Sequence, residues 1–212
     1  MIFISGIFIT FEGGEGAGKT TQIARVAAVL REQGRDVLTT REPGGNESAE
    51  KIRALLLNNE GAHWLPLTEL LLINAARHEH VTKTILPALQ AGNVVLCDRF
   101  TDSTLTYQGY AGGLPHHIIE QMNTLATEGL QPDITLFFAV PPSMGLQRSK
   151  NRGGASDHFE DKDRLFHEKL YAGFKEMVQH NPKRFTVIDA TQPLENVTEQ
   201  CLAAVERILI TD

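Results

Sequence analysis

The feature that most limits what this chain can fold into is a glycine-rich segment near its beginning, which reads Gly13-Gly14-Glu15-Gly16-Ala17-Gly18-Lys19-Thr20. The segment satisfies the pattern G-x-x-x-x-G-K-[ST], follows an apolar run at residues 7–11 and precedes a helical apolar pattern at 20–30. Glycines let the backbone curl so that consecutive N–H groups face one anion, and the positive end of the helix dipole adds to them. A glycine-rich turn that matches the pattern by chance is rarely preceded by a strand and followed by a helix. The segment therefore predicts a phosphate-binding loop between a buried strand and a helix.

The rest of the chain alternates between short apolar runs and longer stretches with helical spacing. Strands are predicted at residues 7–11, 37–40, 94–98, 134–140 and 185–189, and helices at 20–30, 47–57, 67–89 and 194–209. Strands separated by helices favour right-handed crossovers and a parallel sheet that is covered on both faces. We expect a three-layer α/β fold, in which helices flank a central parallel five-stranded sheet on both faces, in a single domain over residues 1–212.

Glycine and charge mark the expected loops. Three glycine-rich breaks at 44–45, 111–113 and 152–154 are expected to be loops at strand ends, where ligands bind in such folds. The charged stretch 148–164 is expected to form a mobile lid over the site.

Composition excludes several classes of protein. A net charge of −6 argues against binding of duplex nucleic acid through a broad basic face. The first 12 residues are apolar but lack a basic beginning and are too short to span a bilayer. The two cysteines, Cys97 and Cys201, have no metal-binding or CxxC spacing, which favours reduced thiols. We therefore expect a cytoplasmic enzyme that has neither a membrane nor a nucleic acid as its partner.

The phosphate loop brings specific chemistry with it. Lys19 would reach the β- and γ-phosphates of a nucleotide, and the Thr20 hydroxyl would be a ligand of Mg²⁺. Asp98 ends a predicted strand, where a carboxylate helps to hold Mg²⁺ through water; a solvated strand cap is the alternative, which the upstream loop disfavours. The chain contains neither the N-K-x-D nor the D-x-x-G element of a GTPase.

Basic residues recur through this acidic chain and suggest a second anion site. A guanidinium group binds phosphate oxygens with two prongs, so several arginines near strand ends indicate an additional phosphate. Each of them taken alone would be a solvated surface charge, and the inference depends on their number. They are Arg41, Arg53, Arg77, Arg99, Arg148, Lys150 and Arg152.

Several family-specific segments accompany the phosphate loop with its acidic Glu15: Arg41-Glu42-Pro43-Gly44-Gly45, Ala75-Ala76-Arg77, Asp98-Arg99-Phe100, Ser103-Thr104, and Tyr107-Gln108-Gly109. With them the chain resembles the bacterial thymidylate kinases, a family of P-loop nucleoside-monophosphate kinases, over nearly its whole length. The resemblance implies transfer of the γ-phosphoryl group of ATP to dTMP, which gives dTDP and ADP in dTTP synthesis for DNA replication. It also implies Mg²⁺ as cofactor and a homodimer, for which the helix around 67–85 is the expected contact.

The same resemblance implies roles for individual residues. Lys19, Arg99, Arg152, Arg148 and Glu15 would be catalytic, with Arg99 on the acceptor phosphate and Glu15 accepting a hydrogen bond from the sugar 3′-hydroxyl. The nucleotide would be bound by Gly13, Gly14, Glu15, Gly16, Ala17, Gly18, Lys19, Thr20, Thr21, Gln192 and Pro193. Mg²⁺ would be held by Thr20 and Asp98. The acceptor would be bound by Arg41, Glu42, Pro43, Arg53, Ile73, Arg77, Arg99, Thr104, Tyr107 and Gln108.

Within that acceptor set, Arg77 and Thr104 would read the pyrimidine edge with Gln108 beside them. Tyr107 would occupy the place of a ribose 2′-hydroxyl and so select deoxyribose. A cis peptide bond at Pro43 is possible.

The lid and the base pocket depart from the family pattern at two places. Family members take a basic group for the transferred phosphoryl from the phosphate loop or from the lid, and positions 14–17 hold none here. Arg152 is therefore the first choice for that group and Arg148 the second, a solvated charged loop being the alternative. Ile73 stands where the family places a phenylalanine that stacks on thymine, and 157–160 lack the usual Asp-Arg pair.

Two other functions stay open from the sequence. A kinase for another nucleoside monophosphate, or for a deoxynucleoside, would use the same phosphate loop with a different base pocket, and Ile73 leaves room for it. A non-catalytic P-loop regulator would bind nucleotide and signal by a change in conformation. Such a regulator would not need the arginine-lined acceptor site or the lid.

Overall fold

A five-stranded parallel sheet forms the centre of the molecule. The structure is a computed structural model that describes residues 5–57, 64–152 and 163–209. The strands lie in the order β2-β3-β1-β4-β5. Their bounds are β1 Ile7–Glu12, β2 Val37–Arg41, β3 Val94–Asp98, β4 Ile134–Ala139 and β5 Phe185–Asp189. The sequence prediction of a parallel five-stranded α/β fold is thus confirmed.

Helices cover both faces of this sheet. They are α1 Lys19–Glu32, α2 Glu47–Leu57, α3 Pro66–His80, α4 Leu86–Gln90, α5 Thr101–Thr104, α6 His116–Thr127, α7 Pro142–Arg152, α8 Arg164–His180 and α9 Leu194–Leu209. Two π-helical segments, Val81–Ile85 and Leu105–Ala111, join α3 to α4 and extend α5. Among the described residues, no helix is long and apolar enough to cross a membrane.

Side chains that alternate along the strands build separate cores on the two faces. Ile9 and Leu96 pack with Val26 of α1 and Val205 of α9 on one face. The other face carries a second core in which residues of β1 and β3 meet the α3–α4 segment: Phe8, Val95, Val81, Ile85 and Leu89. Because both faces are covered, the strands read as continuous apolar runs, and their carboxyl ends meet at one edge.

The helix predicted at 67–89 is one helical stretch in the structure, but its middle widens into the π segment. Pro87, which has no N–H to donate, lies in the first turn of α4 directly after that segment. Such wide turns often mark functional sites. Here the segment begins directly after His80, whose side chain belongs to the site described below.

The loop expectations were partly wrong. Glycines 44–45 do follow β2, as predicted, but 111–113 end the π segment rather than a strand. The segment from 101 to 111 is helical, and buried Glu12 caps its beginning by accepting the N–H groups of Phe100 and Ser103. Of the predicted lid, 148–152 is the last part of α7, and 153–162 lies outside the described residues.

Candidate active site

The glycine-rich loop connects β1 to α1 in a shape that only glycine permits at two positions. Gly18 precedes the helix with φ of 90°, and Gly16 has φ of 65°. A Cβ atom at Gly16 would overlap the carbonyl oxygen of Gly145 in α7, so the loop and that helix are in backbone contact. A glycine-rich loop that leads into a helix N-terminus in this way is the backbone arrangement that binds anions.

Lys19 is the buried cation of this loop. Its Nζ donates hydrogen bonds to the carbonyl oxygens of Gly13 and Gly14, both at 3.1 Å. Burial and the charge of Arg99 lower the pKa of Lys19. The ammonium group is thus held by the loop it would serve, and a phosphate chain would exchange these carbonyl contacts for charge-assisted ones.

Two oxygen-bearing side chains meet beside the loop where a metal ion is expected. Thr20 Oγ1 donates to Asp98 Oδ2 at 2.8 Å. The other oxygen, Asp98 Oδ1, is buried and has no hydrogen-bond partner among the described residues. Mg²⁺ prefers one or two hard oxygen ligands supplemented by water and substrate phosphates. An orphaned carboxylate oxygen beside a hydroxyl therefore fits Mg²⁺.

Arg99 follows β3 with a strained backbone that its neighbours fix. Its φ is +68°, in the left-handed region that non-glycine residues seldom adopt. Arg99 N donates to Phe11 O at 3.0 Å, and Cys97 Sγ donates to Arg99 O at 3.1 Å. The next peptide N–H, that of Phe100, donates to Glu12 Oε1 at 2.7 Å. These bonds on both sides of the residue direct its side chain back toward the phosphate loop.

The Arg99 guanidinium lies between the loop and the acceptor side of the cavity. Its Nη2 donates to Glu15 Oε1 at 2.6 Å, and its Nη1 to Ser103 Oγ at 3.2 Å. The group also covers the Tyr107 ring, with Cζ 4.9 Å from the ring centroid. Tyr107 in turn donates its hydroxyl to the same Glu15 oxygen at 2.6 Å. The predicted phosphate clamp, sugar ligand and sugar gate are therefore in mutual contact.

Glu15 is an anion at neutral pH in this arrangement. Burial alone would raise the pKa of Glu15, but the charges of Arg99 and Lys19 and the Tyr107 hydrogen bond outweigh it and lower the value to about 2. An ionised carboxylate accepts hydrogen bonds and donates none, so it suits a substrate hydroxyl.

Arg77 is the buried cation at the opposite end of the cavity. It lies in the last turn of α3, is 2% exposed and donates from all three of its nitrogens. Nε donates to Glu42 Oε2 at 2.8 Å, Nη1 to Asn123 Oδ1 at 2.7 Å and Nη2 to Thr104 Oγ1 at 2.8 Å. Glu42 precedes Pro43 through a cis peptide bond, the isomer that the sequence left open.

A histidine that sequence reasoning missed supports Glu42. His80 is fully buried, and its Nδ1 lies 3.1 Å from Glu42 Oε1 while its Nε2 lies 2.6 Å from Thr40 Oγ1. Burial alone would raise the pKa of Glu42, but Arg77 and His80 outweigh it and lower that pKa. The signal in the sequence was the spacing of three between Arg77 and His80, which puts both on one side of α3. Asn123 gave no such signal.

One cavity of about 900 Å³ joins these two ends. Its lining contains most of the residues that the sequence proposed for the site, and they come from the loop, from β2, α2 and α3, and from the segment after β3. They are Glu15, Gly16, Ala17, Gly18, Lys19, Thr20, Thr21, Arg41, Glu42, Pro43, Arg53, Ile73, Arg77, Asp98, Arg99, Thr104, Tyr107 and Gln108.

Some proposed residues lie outside that lining. Gln192 Nε2 donates to Asp189 Oδ2 at 2.8 Å, in the turn after β5 that continues to Pro193. Arg148 Nη1 donates to Ala190 O at 2.7 Å, in the same turn. The side chain of Arg152 lies outside what the structure describes.

The acceptor-side side chains at the cavity wall are already engaged with protein groups. Arg41 Nη2 donates to Glu50 Oε1 at 3.0 Å, and Arg53 Nη1 donates to Pro43 O at 2.6 Å. Gln108 Nε2 donates to Glu69 Oε1 at 2.8 Å, which leaves its amide oxygen oriented away from that carboxylate.

Ile73 lies on the cavity wall and is 9% exposed. The aromatic rings of the described lining are not placed to stack on a base instead of it. The two aromatic residues in the described lining are Phe100 and Tyr107. Phe100 is fully buried and packs edge-on against Phe8, with ring centroids 4.9 Å apart, and Arg99 covers the Tyr107 ring. Neither ring offers an open face, which supports Ile73 as the apolar contact for a base.

The glycine-rich loop and Arg99 line one cavity, in which Arg99 is the residue predicted to hold a second anion. Holding two anions in line against their repulsion is the main task of an enzyme that transfers a phosphoryl group between nucleotides. The fold and the site together define the class of P-loop nucleoside-monophosphate kinases.

Comparison with known proteins gives the family. The sequence model of the family described as Thymidylate kinase matches residues 11–201. The chain belongs to the thymidylate kinase family, as its motifs predict. It is 50% identical over 193 residues to the thymidylate kinase of Caulobacter vibrioides, covering 91% of this chain and 92% of that one. It is 46% identical over 209 residues to that of Desulfovibrio desulfuricans, covering 96% of each.

A solved structure agrees with this assignment. The crystal structure of thymidylate kinase from Ehrlichia chaffeensis matches with a TM-score of 0.77 and 34% sequence identity. The match covers 95% of this chain and 99% of that chain, so the similarity extends over the whole fold.

Proposed function

We propose that this chain transfers the γ-phosphoryl group of ATP to the phosphate of dTMP, giving dTDP and ADP for dTTP synthesis. The observation that carries the proposal is the single cavity with Lys19 at one end, Arg99 in its middle and Arg77 at the other end. A phosphate oxygen of dTMP attacks the γ-phosphorus, and the bond from that phosphorus to the bridging oxygen of ADP breaks. The family membership and the similar solved structure support the same reaction.

The phosphate end works by electrostatics. Lys19 turns from its own loop carbonyls to the β- and γ-phosphates, and Arg99 exchanges part of its contact with Glu15 for the acceptor phosphate. Thr20 and Asp98 would hold Mg²⁺, which when bound neutralises charge on the phosphate oxygens. Glu15, which is ionised, accepts a hydrogen bond from the sugar 3′-hydroxyl.

The base end provides recognition. Arg77 and Thr104, joined by a hydrogen bond, present donors to the pyrimidine edge with Gln108 beside them. Ile73 contacts the ring face, and Tyr107, fixed by Glu15, fills the space of a ribose 2′-hydroxyl. The wall between the two ends, formed by Arg41, Glu42, Pro43 and Arg53, completes the acceptor site.

Arg152 is the first candidate for the basic lid residue, and Arg148 is the second. Arg148 is bonded in the turn after β5, beside Gln192 and Pro193, which we propose to contact the adenine side of ATP. That position supports Arg152 as the lid residue that meets charge on the transferred phosphoryl group.

We also propose a homodimer in the cytoplasm, with residues 1–212 as one domain. Large apolar side chains are exposed on α2, on α3 and on the two residues that precede α3: Leu55, Leu67, Leu71, Trp64 and Leu65. Exposed large apolar side chains that form one patch are typical of protein interfaces. Sedimentation velocity should give a dimer that Leu71→Glu converts to a monomer, and a monomeric native chain would contradict the proposal.

A panel of nucleoside monophosphates with ATP and Mg²⁺ tests the function, with ADP release as the readout and Lys19→Ala as the inactive control. We expect dTMP to give the highest kcat/KM. Preference for another monophosphate would replace the proposal by the alternative kinase. Nucleotide binding without phosphorylation of any acceptor would favour the regulator.

A further inference from the structure

The Arg77 guanidinium is bonded both by residues that line the cavity and by a residue that does not. Its three bonds go to side chains of three separate elements: Glu42 after β2, Asn123 in α6 and Thr104 in α5. A buried cation is strongly destabilising unless its N–H groups are paired. Thr104 and Glu42 line the cavity, whereas Asn123 does not.

Asn123 contacts Arg77 but does not line the cavity. It is buried, its Oδ1 accepts from Arg77 Nη1 at 2.7 Å, and its Nδ2 lies 3.4 Å from Thr101 O. A hydrogen bond to a charged donor is about twice as strong as a neutral one. The residue thus fixes one prong of the guanidinium without reaching the substrate.

His80 acts on Arg77 Nε through Glu42. The carboxylate uses Oε2 for Arg77 Nε and Oε1 for His80 Nδ1. If the Thr40 hydroxyl donates to His80 Nε2, His80 Nδ1 carries the proton and donates to Glu42. His80 is fully buried and does not line the cavity, so it orients the carboxylate without facing the substrate.

We propose that Asn123 and His80 are positioning residues, which fix the Arg77 guanidinium in its base-reading orientation before substrate binds. The inference rests on the proposed role of Arg77 in base recognition. An arginine ordered in advance loses little side-chain entropy on binding, so its hydrogen bonds to the base contribute more to affinity. Loss of either support should weaken acceptor binding and leave the phosphate end intact.

Asn123→Leu and Asn123→Asp form the first test, because leucine keeps the volume without an acceptor and aspartate keeps the acceptor. We expect Asn123→Leu to raise KM for dTMP about tenfold while kcat and KM for ATP change less than about twofold. Asn123→Asp should stay within about threefold of the native KM. Thr124→Val is the matched control. The side chain of this exposed neighbour donates to the α6 backbone at Glu120 O, away from Arg77, and its replacement should leave all constants unchanged.

His80→Phe and His80→Asn form the second pair, and they decide the question even if Asn123→Leu does not fold. Asparagine retains a donor near the Nδ1 position and should restore the low KM for dTMP that phenylalanine loses. Thermal unfolding of each variant accompanies the kinetics. An unchanged KM for dTMP in Asn123→Leu and His80→Phe, or equal rises in KM for ATP and dTMP, overturns the proposal.

Failure of the proposed function would look different. The native chain would then show another preferred acceptor, and the same variants assayed with that acceptor would still test the positioning of Arg77.

Discussion

The two ends of the cavity hold their buried cations in different ways. At the proposed base end, Arg77 donates to Glu42, Asn123 and Thr104, and these bonds use three of its five N–H groups. At the phosphate end, Lys19 bonds its own loop, and Arg99 bonds Glu15. Those contacts occupy the donors that phosphates would use.

The chemistry of the ligand explains this difference. A pyrimidine base is neutral and has a fixed shape, so its binding site gains affinity from side chains that are already ordered. A phosphate chain brings negative charge, and cations waiting for it in a buried site would be costly if they were unpaired. The phosphate end therefore pairs its cations with groups that the phosphates can replace. The base end pairs its arginine with groups that remain bonded when the base binds.

Lys19→Ala should have the largest effect and act on the phosphate end alone. Without the ammonium group, charge on the transferred phosphoryl is met less well, and kcat should fall by roughly 10³-fold. Affinity for dTMP, measured by calorimetry, should change less than about threefold. Lys51→Ala, which removes an exposed lysine of α2, is the control. A kcat near the native value would show that the loop lysine is not part of the reaction.

Ile73→Phe should sharpen recognition at the base end. An aromatic ring that stacks on a base contributes on the order of 1–3 kcal/mol, part of which the isoleucine already supplies. KM for dTMP should therefore fall several-fold, with little effect on KM for ATP, in steady-state kinetics. An unchanged or higher KM for dTMP would mean that Ile73 does not contact the base.

Glu12→Gln should give the smallest effect, on stability rather than on binding. Burial and the charge of Asp102 raise the pKa of Glu12 from its usual 4.5 to about 7. The folded state therefore keeps a proton that the unfolded chain has lost, and the free energy of unfolding falls as pH rises through 7. Between pH 6 and pH 8 the loss should be on the order of 1 kcal/mol in denaturant titrations.

The glutamine variant should remove this part of the slope, because its side chain does not titrate. Comparison with the native chain at each pH cancels the titration of other groups. Equal slopes in the two proteins would contradict the raised pKa of Glu12. Glu42, at the base end, has a lowered pKa and should not titrate in this range.

The sequence predicted what depends on local pattern and missed what depends on distant contacts. The phosphate loop, the strands and the Asp98-Arg99 pair are encoded in a few adjacent residues, and the structure brings them to one cavity. Asn123 meets Arg77 across 46 positions in a helix without a motif, so no local signal marks it. The hydrogen bond from Phe100 N to Glu12 joins residues 88 positions apart, which come together only because β1 and β3 are neighbours in the sheet.

Arg99 provides the most direct test of the central claim, that phosphate and base are recognised by separate arginines. We would measure by calorimetry the affinities of dTMP and of thymidine, which lacks the phosphate, for the native chain and for Arg99→Ala. The account predicts that dTMP affinity falls by roughly 100-fold in the variant, because a two-pronged ionic contact is lost, while thymidine affinity changes less than about threefold. Equal losses for both ligands, or no loss for dTMP, would contradict it.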